Sequence, residues 1–386
     1  MRLSHAVLGL SCAFGVLGCQ KLIGLDGRTL DDDAGTGGVV QPSSACQTYC
    51  DDVIDACSGD NDTFVDLPDF GGSHAICLAV CQHFDLHADP ESNQNTLACR
   101  KARAEQAATL KNVPFEIPAY CPAAGPGGGA PGSVKNCGTN CQGYCSLFQA
   151  VCQPDLDRAE CERQCSALHD NEVVNAEQDF MTFPDTIQCR LAHLSVASFT
   201  DPDTHCGHAA LVPDPSDAVS CDLGPDTEPD CGDYCKLVGV ACTGDRALYG
   251  SRSQCMAVCN ALPSGLAKQV TGNSVACRRW RGYASLVDAT SCPSAGPIAA
   301  QPCGDPCEVY CGLAQTGCTQ GFAEHFAGSD AMGTCISQCK ALPFSGGYSV
   351  AGAKGDTLEC RVLQASKALD GNPDACPKAL GVTPCE

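Results

Sequence analysis

Three histidines near the middle of the chain have the type and spacing to do chemistry. His205 and His208 stand three apart in His205-Cys206-Gly207-His208-Ala209, and His193 comes just before them in Cys189-Arg190-Leu191-Ala192-His193. Two imidazoles three residues apart, with a third nearby, could hold a transition metal or supply axial ligands to a haem. The competing reading is polar surface or helix capping. The corresponding stretches elsewhere, Cys99-Arg100-Lys101-Ala102-Arg103, Cys277-Arg278-Arg279-Trp280-Arg281 and Cys360-Arg361-Val362-Leu363-Gln364, contain no histidine.

Other constellations are absent from the sequence. There is no C-x2-C, C-x-x-C-H, H-E-x-x-H or G-x-S-x-G, so the motifs point to no thioredoxin-type centre, c-haem attachment, zincin or serine hydrolase. Gly125 to Gly132 lacks the G-K-[ST] ending of a phosphate loop and reads as a linker. Around Asp60 and Asp62 the carboxylates are too few for a calcium loop, and no closing Glu follows. No cofactor and no enzymatic activity are expected.

The cysteines set the elements that must position these residues. Apart from Cys12 and Cys19, 32 cysteines form four sets of eight in register, the pattern of an oxidised scaffold outside the cytosol. The repeats span 46–137, 138–221, 222–303 and 304–386. Each opens C-x3-C-x6-C, as at Cys46, Cys50 and Cys57; C-x3-C follows, as at Cys77 and Cys81, then a sixth Cys before Arg, as at Cys99-Arg100. At about 100° per residue the first three sulfurs fall on one helix stripe, and the second C-x3-C puts two more on one face of a second helix. Thr96, Thr186, Ser274 and Thr357 stand where a hydroxyl caps a third helix. The fold expected is mainly α: four tandem, disulfide-stapled three-helix repeats.

Two connectivities fit six cysteines of such a unit. Crossed pairing gives Cys46–Cys81, Cys50–Cys77 and Cys57–Cys99; the other gives Cys57–Cys77, Cys50–Cys81 and Cys46–Cys99. The remaining pairs, Cys121 with Cys137, Cys206 with Cys221, Cys292 with Cys303 and Cys376 with Cys385, are expected to close local loops. Variable gaps between the first two helices, with Asp60, Asn61, Asp62 and Asp66 in repeat 1 and His325 and Asp330 in repeat 4, read as loops available for contact. Aromatic residues are only 5% of the chain, so cross-links are expected to replace bulk packing in such small units.

The first residues carry an export signal. Met1-Arg2 is followed by an apolar stretch from Val7 to Val16, and Val16-Leu17-Gly18-Cys19 is the ending of a bacterial lipoprotein leader. Residues 1–18 are expected to be removed and Cys19 to take lipid, with 19–45 an acidic, glycine-containing tether. Gln20 after Cys19 directs such proteins to the outer membrane of Gram-negative bacteria by resemblance to their sorting pathway. The formal charge is −22, one unit more negative without Arg2, and it opposes nucleic-acid binding and electrostatic membrane attachment.

The layout C-x3-C-x6-C, C-x3-C, C-R resembles the cysteine-rich repeat lipoproteins of myxobacteria and their relatives, over residues 19 to 386. That resemblance implies location and architecture and carries no activity. Repeat ends in that group often read H-C-P-H-A. This chain has His205-Cys206-Gly207-His208-Ala209 once, and Cys121-Pro122, Cys292-Pro293 and Cys376-Pro377 elsewhere. The expectation is a non-enzymatic lipoprotein anchored through Cys19 in the outer membrane, facing the periplasm or the cell surface, that binds an envelope or extracellular protein or builds an envelope assembly. The alternative is an accessory protein for metal or electron transfer using His193, His205 and His208.

Overall fold

A computed structural model describes residues 43–86, 94–110, 119–129, 135–171, 174–214, 216–217, 219–221, 229–298 and 302–385. The expected leader, Cys19 and the expected tether up to residue 42 lie outside them. Among the described residues the chain is mainly helical and has no strand, only the isolated bridges Asp85 to Thr96 and His169 to Thr186.

Repeat 1 shows how the sequence builds the unit. The Ser43 side chain accepts from Cys46 N and starts α1 (Ser44–Ala56), two residues before the first cysteine. Cys46, Tyr49, Cys50 and Val53 bury one face of it. A loop leads to α2 (Gly72–Cys81), whose Cys77 and Cys81 meet α1. Thr96 caps α3 (Leu97–Thr109) by accepting from Cys99 N, while Leu97 N donates to Asp85 O, which sets the start of α3 beside the end of α2. A short α4 (Cys121–Ala124) closes the unit.

The plan recurs in the other three. Repeat 2 has α5 (Asn140–Val151), α6 (Arg158–Cys165), an added α7 (Ala176–Thr182), α8 (Ile187–Phe199) and α9 (Pro202–His208). Repeat 3 has α10 (Cys231–Ala241), α11 (Arg252–Asn260), α12 (Val275–Val287) and α13 (Cys292–Ala295). Repeat 4 has α14 (Pro306–Gly317), α15 (Thr319–His325), α16 (Ala331–Cys339), α17 (Leu358–Leu369) and α18 (Cys376–Leu380). The expected hydroxyl caps at Thr186, Ser274 and Thr357 are all made. Asp230 caps α10 by accepting from Asp233 N, and Asp330 caps α16.

All 32 cysteines of the repeats are paired, and every bridge stays inside its own repeat. The crossed pairs Cys46–Cys81 and Cys50–Cys77 form as expected, with Cα atoms 5.7 and 5.8 Å apart. The rest of both expected schemes is overturned. Cys57 bonds Cys121 and Cys99 bonds Cys137, so neither Cys57–Cys99 nor a local Cys121–Cys137 clip exists. The equivalents are Cys152–Cys206 and Cys189–Cys221, Cys242–Cys292 and Cys277–Cys303, Cys318–Cys376 and Cys360–Cys385. The reason is the up-down-up path. Cys57 is the C-cap of α1, about 16 Å of helix beyond Cys46, whereas Cys99 is at the start of α3 beside Cys46. The short fourth helix forms after α3 and reaches the end where Cys57 waits.

Two polar staples repeat with the sulfurs. The tyrosine three residues after the first cysteine donates its hydroxyl to an alanine carbonyl of the short helix region: Tyr49 to Ala124 at 2.5 Å, Tyr144 to Ala209 at 2.9 Å, Tyr234 to Ala295 at 2.7 Å and Tyr310 to Ala379 at 2.6 Å. The arginine after the sixth cysteine is buried in three repeats and donates to the next carbonyls: Arg100 to Gly125 and Pro126, Arg190 to Ala210, Arg278 to Gly296 and Pro297. Arg361 departs and pairs with Asp356 at the surface. Gly125 to Gly129 are buried under Arg100 and beside α5, so that part of the expected linker belongs to the packed unit. Gly128 has φ +99°, and a side chain there would strike the carbonyl of Cys137.

Two of the three junctions between repeats use the same pair of faces. α2 packs on α8 and α11 on α17, so the second helix of one repeat lies on the third helix of the next. At the middle junction Gln164 of α6 donates to Leu286 O of α12. Residues from all four repeats join one buried apolar cluster, and 42–386 forms one compact unit.

Candidate metal centre

The three histidines converge because of how α8 and α9 are joined. His193 is one turn beyond Cys189 on α8, which the Cys189–Cys221 bridge fixes at its start. Only Thr200 and Asp201 separate α8 from α9. Asp201 takes the left-handed conformation at φ 45° and accepts from Thr204 N, and Pro202 begins the helix, so α9 doubles back on α8. His205 and His208 then face His193 from one side of α9.

The ring centroids lie 5.4 Å (His193 to His205), 4.9 Å (His193 to His208) and 5.6 Å (His205 to His208) apart. The Nδ1 atoms of His193 and His205 are 3.1 Å from each other. One ring nitrogen of each of the three falls within 4.8 Å of the others. His193 is 1% and His208 6% exposed, so these two are not surface histidines, and His205 is half-buried. Phe180 of α7 lies 4.6 Å from the His193 ring and 5.8 Å from that of His205. Phe183, at φ 52°, stacks 5.9 Å from His193.

Hydrogen-bond partners divide the ring nitrogens. His208 Nε2 meets Asp217 Oδ2 at 3.0 Å, and Lys268 of repeat 3 donates its ammonium to Asp217 O at 2.6 Å. Cys221 N donates to His208 O, so the Cys189–Cys221 bridge also ties down the loop that carries Asp217. His208 Nδ1 and His193 Nε2 are buried without a hydrogen-bond partner among the described residues. Burial, then the neighbouring His208 and His205 and the more distant Arg190, pushes the His193 imidazole down to about 3. Burial and His208 lower His205 as well, against the pull of Asp201. His193 is therefore a neutral imidazole at any ordinary pH, the form that ligates metals.

Cys189 and Cys221 also lie within reach of His193, but their sulfurs are spent in a disulfide and offer no thiolate. The other repeats hold Arg103, Arg281 and Gln364 where His193 stands, Tyr120, Ser291 and Ala375 at the place of His205, and Ala123, Ser294 and Lys378 at that of His208. The cluster is confined to repeat 2 and is no requirement of the repeat fold. The sequence pointed to the three histidines; it gave no sign of Asp217 or Phe180, which lie in segments of irregular spacing.

No family model matches the chain, and neither a curated protein nor a solved structure does. No helix of the described residues is long and apolar enough to cross a membrane.

Proposed function

We propose that the chain is an exported, non-enzymatic module of the cell envelope, held at the outer membrane by lipid on Cys19 and facing the periplasm or the cell surface. There it binds an envelope or extracellular protein, or builds an envelope assembly. The observation that carries this reading is sulfur chemistry: every cysteine of the four repeats is in a disulfide, and such a density of bridges is characteristic of proteins exported to an oxidising compartment. The binding role is supported by the contrast between rigid staples and the unequal segments joining the first two long helices of each repeat, which carry exposed groups such as Asp60 in a turn and Glu324 on α15. The lipoprotein ending at Cys19 and the resemblance to cysteine-rich repeat lipoproteins support the anchored location.

Intact-mass measurement of protein from a native-like host tests it. Diacyl or triacyl addition at Cys19 is expected, with Cys19→Ala releasing the chain from membranes. A mature chain that starts elsewhere and carries no lipid would remove the anchor from the account.

A further inference from the structure

We propose that His193, His205 and His208 form a mononuclear site for a divalent, imidazole-preferring transition ion, Cu(II) more tightly than Zn(II). The site goes beyond the anchored-module reading and stands or falls without it. Metal-to-imidazole bonds of about 2.0–2.1 Å place two ligand nitrogens on one ion roughly 3 Å apart. The His193 and His205 Nδ1 atoms are at 3.1 Å. The third donor is Nδ1 of His208, because its Nε2 is engaged by Asp217. That nitrogen is buried and has no other partner among the described residues, an unfavourable state for a polar group that an ion relieves.

The surroundings match what metal sites use. A carboxylate on the far nitrogen of a ligating histidine fixes its tautomer and raises its basicity, and Asp217 does this for His208. Lys268 holds the Asp217 backbone from the next repeat, so the carboxylate is positioned by the stacking of repeats 2 and 3. Phe180 and Phe183 exclude water from the His193 side. The donor set selects the ion. Three imidazole nitrogens with no carboxylate among them do not suit calcium or magnesium, which take oxygen ligands. With both nearby sulfurs in a disulfide, no thiolate is present to favour Cu(I). Among divalent ions the general affinity order then puts Cu(II) first.

The test uses the full oxidised chain, stripped with a chelator and titrated with Cu(II) and Zn(II) against a competing chromophoric chelator. One equivalent per chain is expected, with nitrogen hyperfine structure in the Cu(II) electron paramagnetic resonance spectrum. Asp217→Asn should weaken binding 10–100-fold. His208→Ala should abolish stoichiometric binding, and His205→Ala, at the half-exposed position where folding is least at risk, should weaken it by at least 100-fold with unchanged circular dichroism and no free thiol. Absence of a stoichiometric site in the parent chain would overturn the proposal. So would an oxygen-only copper spectrum, or binding equal to the parent in folded His205→Ala, since the acidic surface would then be the donor.

Discussion

At the scale of single residues, positions that recur in every repeat hold the fold, while the three clustered histidines occur in one repeat alone. Tyr49, Tyr144, Tyr234 and Tyr310 close the same bond four times; their spacing from the first cysteine was visible in the sequence, but the carbonyls that receive them appear only once α4, α9, α13 and α18 are placed. Thr96 and its counterparts were legible because a cap is a local event. Asp217 was not, because nothing local distinguishes a carboxylate that orients a histidine from one in solvent. Asp179 of α7 gives a prediction at this scale. Burial raises its carboxyl to about 6, against the lowering effect of the Asn175 backbone bond, so the folded chain holds that proton more tightly than the unfolded chain does. Its contribution to stability is therefore complete below the ordinary carboxylate pKa near 4 and is lost as pH rises through about 6. Asp179→Asn should stabilise the chain by about 1–2 kcal/mol at pH 7.5 and leave it unchanged at pH 4, read by urea unfolding with the disulfides intact. An equal effect at both pH values would mean that the carboxyl is not displaced.

At the scale of elements, the sequence yielded the helices and their caps from periodicity, but not the path that decides which sulfurs meet. Cys57 and Cys99 both lie on predicted helices; the up-down-up course puts them at opposite ends, and only the short fourth helix, too brief to show a period, reaches the first. Contacts between elements of different repeats were invisible for the same reason. The junction of repeats 2 and 3 contains a buried charge cluster in which Asp185, in the turn before α8, accepts from Arg190 at 3.0 Å and also engages Arg279 and Tyr283 of α12. Asp185 and both arginines are buried. Asp185→Ala leaves two guanidiniums without their carboxylate, which costs about 3–5 kcal/mol for a broken buried pair. Urea unfolding should show that loss; a change below about 1 kcal/mol would mean that water or relaxation replaces the carboxylate.

At the scale of the whole molecule, four covalently closed units share one core and end in polar faces. The position just before the second cysteine of the second helix is buried as Val80, Gln164 and Val258, where the next repeat covers it, and exposed as Gln338 in the last. On the third helix, Leu191, Arg279 and Val362 are buried, while their counterpart in repeat 1 is the partly exposed Lys101, which pairs with exposed Glu105. Such faces complete a stack and oppose its extension by another copy. The expectation that cross-links replace bulk packing therefore needs amending: each repeat is stapled on its own, yet the repeats also bury one another. Everything above depends on that covalent plan, and mass mapping of peptides from the unreduced, exported chain tests it most directly. The account predicts 16 bridges and no free thiol in the repeats, with Cys57 linked to Cys121 and Cys99 to Cys137, and the equivalent pairs in the other three. A Cys121–Cys137 peptide, a bridge between different repeats or a substantial fraction of free thiol would contradict it.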